Sequence, residues 1–251
     1  MEAELSGEEL VAPALSVAAL QEIARPALRE PWPLERPYVT LAFAQTLDGR
    51  IATRNGDSQW ISGQESLTFA HCLRATHDAI LVGIGTVLRD NPRLTTRLVP
   101  GTSPTRVVID SLLRMPADAA MLSDGSAGET IVFTTERAAE QHGRRLRDLG
   151  VQVVMTAADA EGHVDLAAAL RHLAGTGIRS VLIEGGARII TAALKAQLVD
   201  RMAVCVAPKL IGTGVNGIGD LGIVRLADAM WLERHRLLCL GNDLVVIGDV
   251  R

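Results

Sequence analysis

The chain has 251 residues, enough for one large α/β domain or two small ones, and its 48% hydrophobic and 22% charged residues exclude a disordered or collagenous polymer. Twenty-five basic side chains against twenty-nine acidic ones leave a net charge of −4, with few aromatic rings, so neither the basic field nor the stacking platforms of a nucleic-acid binder are expected. Cys72, Cys205 and Cys239 are odd in number and far apart, without disulfide or zinc spacing, and point to a reducing, cytoplasmic setting; no run is apolar enough for a membrane span, and the acidic start is unlike a signal peptide.

Residues 1–37 read as an N-terminal extension, with an amphipathic helix around Glu8 to Ile23 and then Pro26, Pro31, Pro33 and Pro37, which forbid continuous regular structure. Residues 38–251 form the second unit. In it the runs at 38–45, 79–83, 105–110, 130–135, 151–156 and 180–186 read as strands, most of them apolar throughout, as strands buried on both faces of a parallel sheet are. Helices are expected between them, most clearly over Glu136 to Leu149 with Gly150 as a stop, and over Leu166 to Ala174 with Asp165 as the cap. The alternation predicts an α/β fold with a mostly parallel central sheet and helices on both faces. Residues 201–212 and 243–250 are strand-like with no strong helix between them, which predicts an antiparallel edge.

The strongest local pattern is a strand ending at Glu184, a Gly185-Gly186 turn and an immediate amphipathic helix. Free N–H groups, a positive helix end and glycines that allow close approach would cradle a phosphate there, while the same residues serve equally as a plain strand-to-helix turn. Glu184 stands where open α/β sheets put their ligand crevice, or caps the following helix. Gly83-Ile84-Gly85, followed by Thr86, Asp90, Arg93 and Arg97, is a weaker pattern, and Gly212-x-Gly214-x-x-Gly217 reads as a flexible loop after an apparently antiparallel strand. Residues 45–62 carry the turn pairs Asp48-Gly49 and Asn55-Gly56, consistent with a hairpin, then Ser58 and Trp60; the tryptophan reads as a core anchor or as the wall of a site for a flat ligand. No histidine has a ligand-spaced companion, so a metal enzyme is disfavoured, and no G-x-S-x-G elbow or P-loop is present.

Together, "TLDGRIA", "GDSQWI", "LRATHDAILVGIGTVLRDNPRLTTR", "RVVIDSLLRMP", "VLIEGG" and "LVDRMAVCVAPKLIG" resemble, in this order from about Arg36 onward, the reductase family of riboflavin biosynthesis. The resemblance implies a dihydrofolate-reductase-like fold, a homodimer, and NADPH-dependent reduction of a phosphorylated pyrimidine, the ribosylamine 5′-phosphate, to its ribitylamino product. It puts Ala44, Trp60, Thr86, Asp90, Ser111 and the loop of Gly185, Gly186, Ala187, Arg188 and Ile189 at the cofactor. It puts Ser58, Arg74, Leu94, Arg97 and Glu184 at the substrate, the two arginines gripping its phosphate. Glu184 and Asp90 are the candidates for moving a proton during ring opening. The chain lacks the H-x-E and P-C-x-x-C signatures of the zinc deaminase joined to some relatives, and is expected to be the reductase alone. Ala42 replaces a lysine of many such relatives, which leans the substrate toward the 2,5-diaminopyrimidinone over the uracil form. A folate or pterin reductase of the same fold and a non-catalytic nucleotide-binding protein are the rival readings.

Overall fold

The computed structural model describes residues 15–28, 35–123 and 129–251. The part of the expected Glu8 to Ile23 helix before residue 15, and Pro31 and Pro33, lie outside them. Within them the first element is α1 (Val17–Ala24), capped by the Ser16 hydroxyl, which accepts from the Ala19 N–H; it buries Leu20 and Ala24, and the Ala24 carbonyl accepts from the Thr76 hydroxyl. This part of the N-terminal segment is therefore joined to the main core.

The chain continues through β1 (Tyr38–Thr46), β2 (Arg50–Thr53), α2 (Gln64–Thr76), β3 (Ala79–Gly83), α3 (Ile84–Asp90), β4 (Thr105–Ile109), β5 (Thr130–Thr134), α4 (Glu140–Asp148), β6 (Gln152–Met155), α5 (Leu166–Gly175), β7 (Ser180–Glu184), α6 (Ala187–Lys195), β8 (Arg201–Ala207), β9 (Gly214–Asn216), β10 (Leu232–Leu240) and β11 (Asp243–Val250). The main sheet has the order β10-β11-β8-β1-β7-β3-β4-β5-β6. Its centre is parallel, with β7 inserted between β1 and β3, and β11 runs antiparallel to β8 and β10. Parallel strands buried on both faces show their pleat only in three dimensions: in β3, Ile80 and Val82 pack toward α1 to α4, while Ala79 and Leu81 pack toward α5 and α6. Asp165 caps α5 as expected, accepting from the N–H groups of Ala167 and Ala168.

Several expectations are corrected. The helix expected from Glu136 begins only at Glu140, because 135–139 are taken up by a turn closed by the Ala138 N–H bond to the Thr135 carbonyl. The antiparallel edge expected from residues 201–212 and 243–250 is present as the β8 and β11 pair, while β8 itself runs parallel to β1 on its other side. The glycine-rich run at 212–217 is not a free loop: it holds β9, which pairs with β2 in a separate two-stranded sheet. Asp48 fixes this corner. Its carboxylate accepts from the Thr46 hydroxyl (2.5 Å) and from the N–H groups of Gly212 and Ile211, and these bonds push its carboxyl down to about 2. β10 carries no clean alternation and is not evident in the sequence; it exists because β11 offers it a partner. Among the described residues no helix is long and apolar enough to cross a membrane.

His77 is buried between α2 and β1. Its Nδ1 donates to the Leu73 carbonyl (2.7 Å), so its Nε2 accepts from the Thr40 hydroxyl (2.8 Å), and burial pushes the ring down to about 4 from 6.5. The unfolded chain protonates this ring near 6.5, so its contribution to stability is complete above that pH and is lost as the pH falls toward about 4. Urea midpoints should fall progressively across that interval, and His77→Gln should reduce the slope.

Candidate active site

The sheet reverses direction at its centre. From β1 the chain crosses to β3 and onward to β6, and from β7 it returns across β1 to β8, so the carboxyl ends of β1, β7, β3 and β4 border a topological switch point. A cleft of about 1800 Å³ opens there, and every site residue nominated from the sequence lines it.

β7 delivers Glu184, and Gly185 and Gly186 follow with φ of +67° and +83°, a backbone that L side chains rarely adopt. A Cβ at Gly186 would lie 3.3 Å from the Thr86 hydroxyl on α3. At Gly83 the constraint is tighter, since a Cβ would stand 2.7 Å from Ile189 Cγ1 and the end of β3 could not approach the first turn of α6. The turn therefore joins strand to helix and also leaves a shallow concavity under the unpaired N–H groups of α6, where Ala187, Arg188 and Ile189 begin the helix. Thr86 stands on the other side of that concavity, and N–H groups arranged in this way can bind an anion.

Ala44, two residues before the end of β1, lies on the cleft floor, and Ser58 and Trp60 come from the segment before α2. Trp60 is not a core anchor: it is 72% exposed, with φ of +64°, and its carbonyl accepts from the Lys209 ammonium. Ser111 follows β4; its hydroxyl oxygen accepts from the Val164 N–H (2.9 Å) and its carbonyl from the Thr135 hydroxyl. Asp90 ends α3, and loss of hydration raises its carboxyl above the ordinary range against the lowering pull of Arg89. Leu94 is buried in a left-handed conformation, φ +55°.

The two nominated arginines differ. The Arg74 fork is engaged by Glu184, Nε to Oε1 at 2.8 Å and Nη2 to Oε2 at 2.6 Å, with both side chains largely buried. Burial works against the Arg74 charge, and the Glu184 carboxylate outweighs it, so the guanidinium is held protonated more firmly than usual. Arg97 is exposed on the cleft wall, and its guanidinium makes no hydrogen bond or ion pair among the described residues. The Arg74 fork is thus taken up by Glu184, which it orients, while the Arg97 fork is unengaged among the described residues.

The sequence reading named Ala42 and Ala44 but missed the β8 and α2 residues that complete the cleft floor with them. Ala42 stands opposite Ala203, and Ala44 opposite Cys205, on adjacent strands, and α2 faces them with Ser66, Phe69, Ala70 and Leu73. Small residues at alternate positions of two strands were the available signal, meaningful only once β1 and β8 are known to pair. Arg114 and Arg137 also line the cleft, the latter beyond the Thr135 that holds Ser111. Among the described residues no group of three or more His, Cys, Asp or Glu side chains is arranged for a metal ion.

The model of the RibD C-terminal domain family matches residues 37–246. The chain is 39% identical over 213 residues to the riboflavin biosynthesis protein RibD of Aquifex aeolicus, covering 84% of this chain and 57% of that protein. It is 42% identical over 224 residues to the 2,5-diamino-6-ribosylamino-4(3H)-pyrimidinone 5′-phosphate reductase of Methanothermobacter thermautotrophicus, covering 86% and 99%. Among solved structures, RibD of Acinetobacter baumannii superposes with a TM-score of 0.72 at 28% identity over 86% of this chain and 58% of that one. The riboflavin biosynthesis reductase Rib7 of Saccharomyces cerevisiae gives 0.72 at 25% identity over 92% and 98%. The chain thus spans little more than half the length of the RibD relatives.

The ion pair makes a stability prediction. Arg74→Ala leaves a largely buried carboxylate without its partner and should lower unfolding free energy by ~3 kcal/mol or more, whereas Arg97→Ala should unfold with the parent; chemical denaturation of both variants checks this.

Proposed function

Since this chain belongs to the RibD C-terminal domain family of riboflavin biosynthesis reductases, we propose that it reduces a pyrimidine ribosylamine 5′-phosphate to the ribitylamino product with NADPH. The observation that carries this reading is the meeting, in one cleft, of a glycine turn at the start of α6, an unengaged Arg97 and an Arg74-oriented Glu184. Residues 38–251 are the catalytic unit in this reading and 1–37 an extension to it. The three free cysteines suit a cytoplasmic, reducing compartment.

The concavity that a Gly186 side chain would fill supports a dinucleotide pyrophosphate, with Ala44, Trp60 and Thr86 along the remainder of the cofactor. When bound, the nicotinamide supplies the hydride. Ser111, flanked by Arg114 and Arg137, offers an anion site at the adenosine end, which favours NADPH over NADH. Arg97 would bind the substrate phosphate, with Leu94 and Ser58 beside it. Glu184 has both oxygens tied to Arg74 and serves as a fixed acceptor for sugar hydroxyls, so we assign proton movement during ring opening to Asp90, whose carboxyl is raised by desolvation. Positioning carries most of such a reaction.

The small floor at Ala42 and Ala203 offers no ammonium to the pyrimidine, which supports the 2,5-diaminopyrimidinone as the preferred ring. For the homodimer implied by the resemblance, the exposed Trp231 and Leu237 at the β10 edge are the face we assign to the second copy. A folate reductase would need a free buried carboxylate for the pterin ring, whereas both oxygens of Glu184 are tied to Arg74, and a non-catalytic binder would bind NADPH without oxidising it.

NADPH oxidation assayed with both pyrimidine phosphates and with dihydrofolate tests the reading: turnover is expected with the diaminopyrimidinone first, and turnover with dihydrofolate alone would overturn it. Arg97→Ala should raise KM for the phosphorylated substrate roughly tenfold or more while leaving NADPH affinity unchanged, as loss of a charge-assisted bond of ~1.5–3 kcal/mol requires. Gly186→Val should do the reverse, weakening NADPH in a binding titration, and Arg137→Ala should narrow the preference for NADPH over NADH.

A further inference from the structure

His71 is fully buried on α2, one turn before Arg74. Its Nδ1 accepts from the Arg97 backbone N–H at 3.1 Å, which places the ring proton on Nε2, and Nε2 is buried with no hydrogen-bond partner among the described residues. An apolar side chain would fill this space without stranding an N–H group, so the polar use of the ring is the bond to Arg97. Three residues along the same helix face, Arg74 Nη1 reaches the Thr95 carbonyl at 3.4 Å.

Residues 91–99 form no helix or strand, and Leu94 within them is left-handed. Side chains hold their backbone instead: His71 at the Arg97 N–H, Arg74 at the Thr95 carbonyl, and the Ser103 hydroxyl at the Thr96 N–H. Buried beside Arg74 and Arg97, with Glu184 as the opposing charge, the imidazole is pushed down to about 4 and so stays a neutral acceptor near neutral pH.

We propose that His71 is a positioning residue for the substrate phosphate: it fixes the backbone from which the exposed Arg97 guanidinium projects into the cleft. The proposal rests on the assignment of Arg97 to that phosphate. His71 does not touch the substrate; its effect passes through one backbone hydrogen bond.

The test compares H71L, which fills the site without an acceptor, with H71N, whose Oδ1 can stand in for Nδ1. H71L is expected to raise KM for the pyrimidine phosphate roughly five- to tenfold, to leave kcat and NADPH affinity within about twofold, and to speed amide hydrogen exchange at Arg97. H71N is expected to restore KM and exchange to near the parent values. The proposal is overturned if H71L leaves both unchanged, or if H71N behaves as H71L does. H71A repeats the comparison should H71L not fold. Absence of turnover in the parent protein would refute the proposed function by itself, whereas the exchange comparison reads the His71 to Arg97 link without any turnover.

Discussion

The insertion of β7 between β1 and β3 is the constraint from which the site follows. Parallel pairing on both sides sets Glu184 at the end of β7 level with Ala42 inside β1 and next to Gly83 at the end of β3, although the three are distant in sequence. A crossover that fills the middle of a sheet must also reverse the direction of chain progression, and the crevice at that reversal is not covered by a connecting helix. Gly83 meets the same demand at close range, since only a residue without Cβ lets α6 settle against β3 beside the inserted strand.

Charge is distributed in the cleft with a division of labour that the overall balance of −4 conceals. Arg74 and Glu184 neutralise each other in a bidentate pair with little exposure, which removes one carboxylate and one guanidinium from solvent and fixes the orientation of both. Among the described residues the Arg97 guanidinium is left unengaged on the wall, so an anionic ligand meets a positive group without a generally basic protein. The loop that carries Arg97 has little regular hydrogen bonding of its own, and its geometry is borrowed from α2 through His71 and Arg74.

Outside the cleft, a hydrogen-bonded carboxylate and a buried imidazole serve structure. Asp48 pins the corner where β2 meets β9, and His77 satisfies both ring nitrogens between α2 and β1. His71 on α2 and His77 just past its end thus have different partners: the first has an unpaired nitrogen behind the cleft wall among the described residues, the second none.

The sequence by itself determined the parallel α/β class, six strand positions, the Asp165 cap and the glycine turn after Glu184, because continuous apolar runs, capping side chains and paired glycines act over a few residues. It also carried the family, through six ordered segments, and with it the site residues that prove to line one cleft. Only the tertiary structure decided that Arg74 belongs to Glu184 while Arg97 is free, that Trp60 is exposed, that β8 runs parallel to β1, and that β9 and β10 exist at all. Each of these depends on which strand lies beside which, and pairing partners far apart in the chain leave no mark in the local pattern of residues.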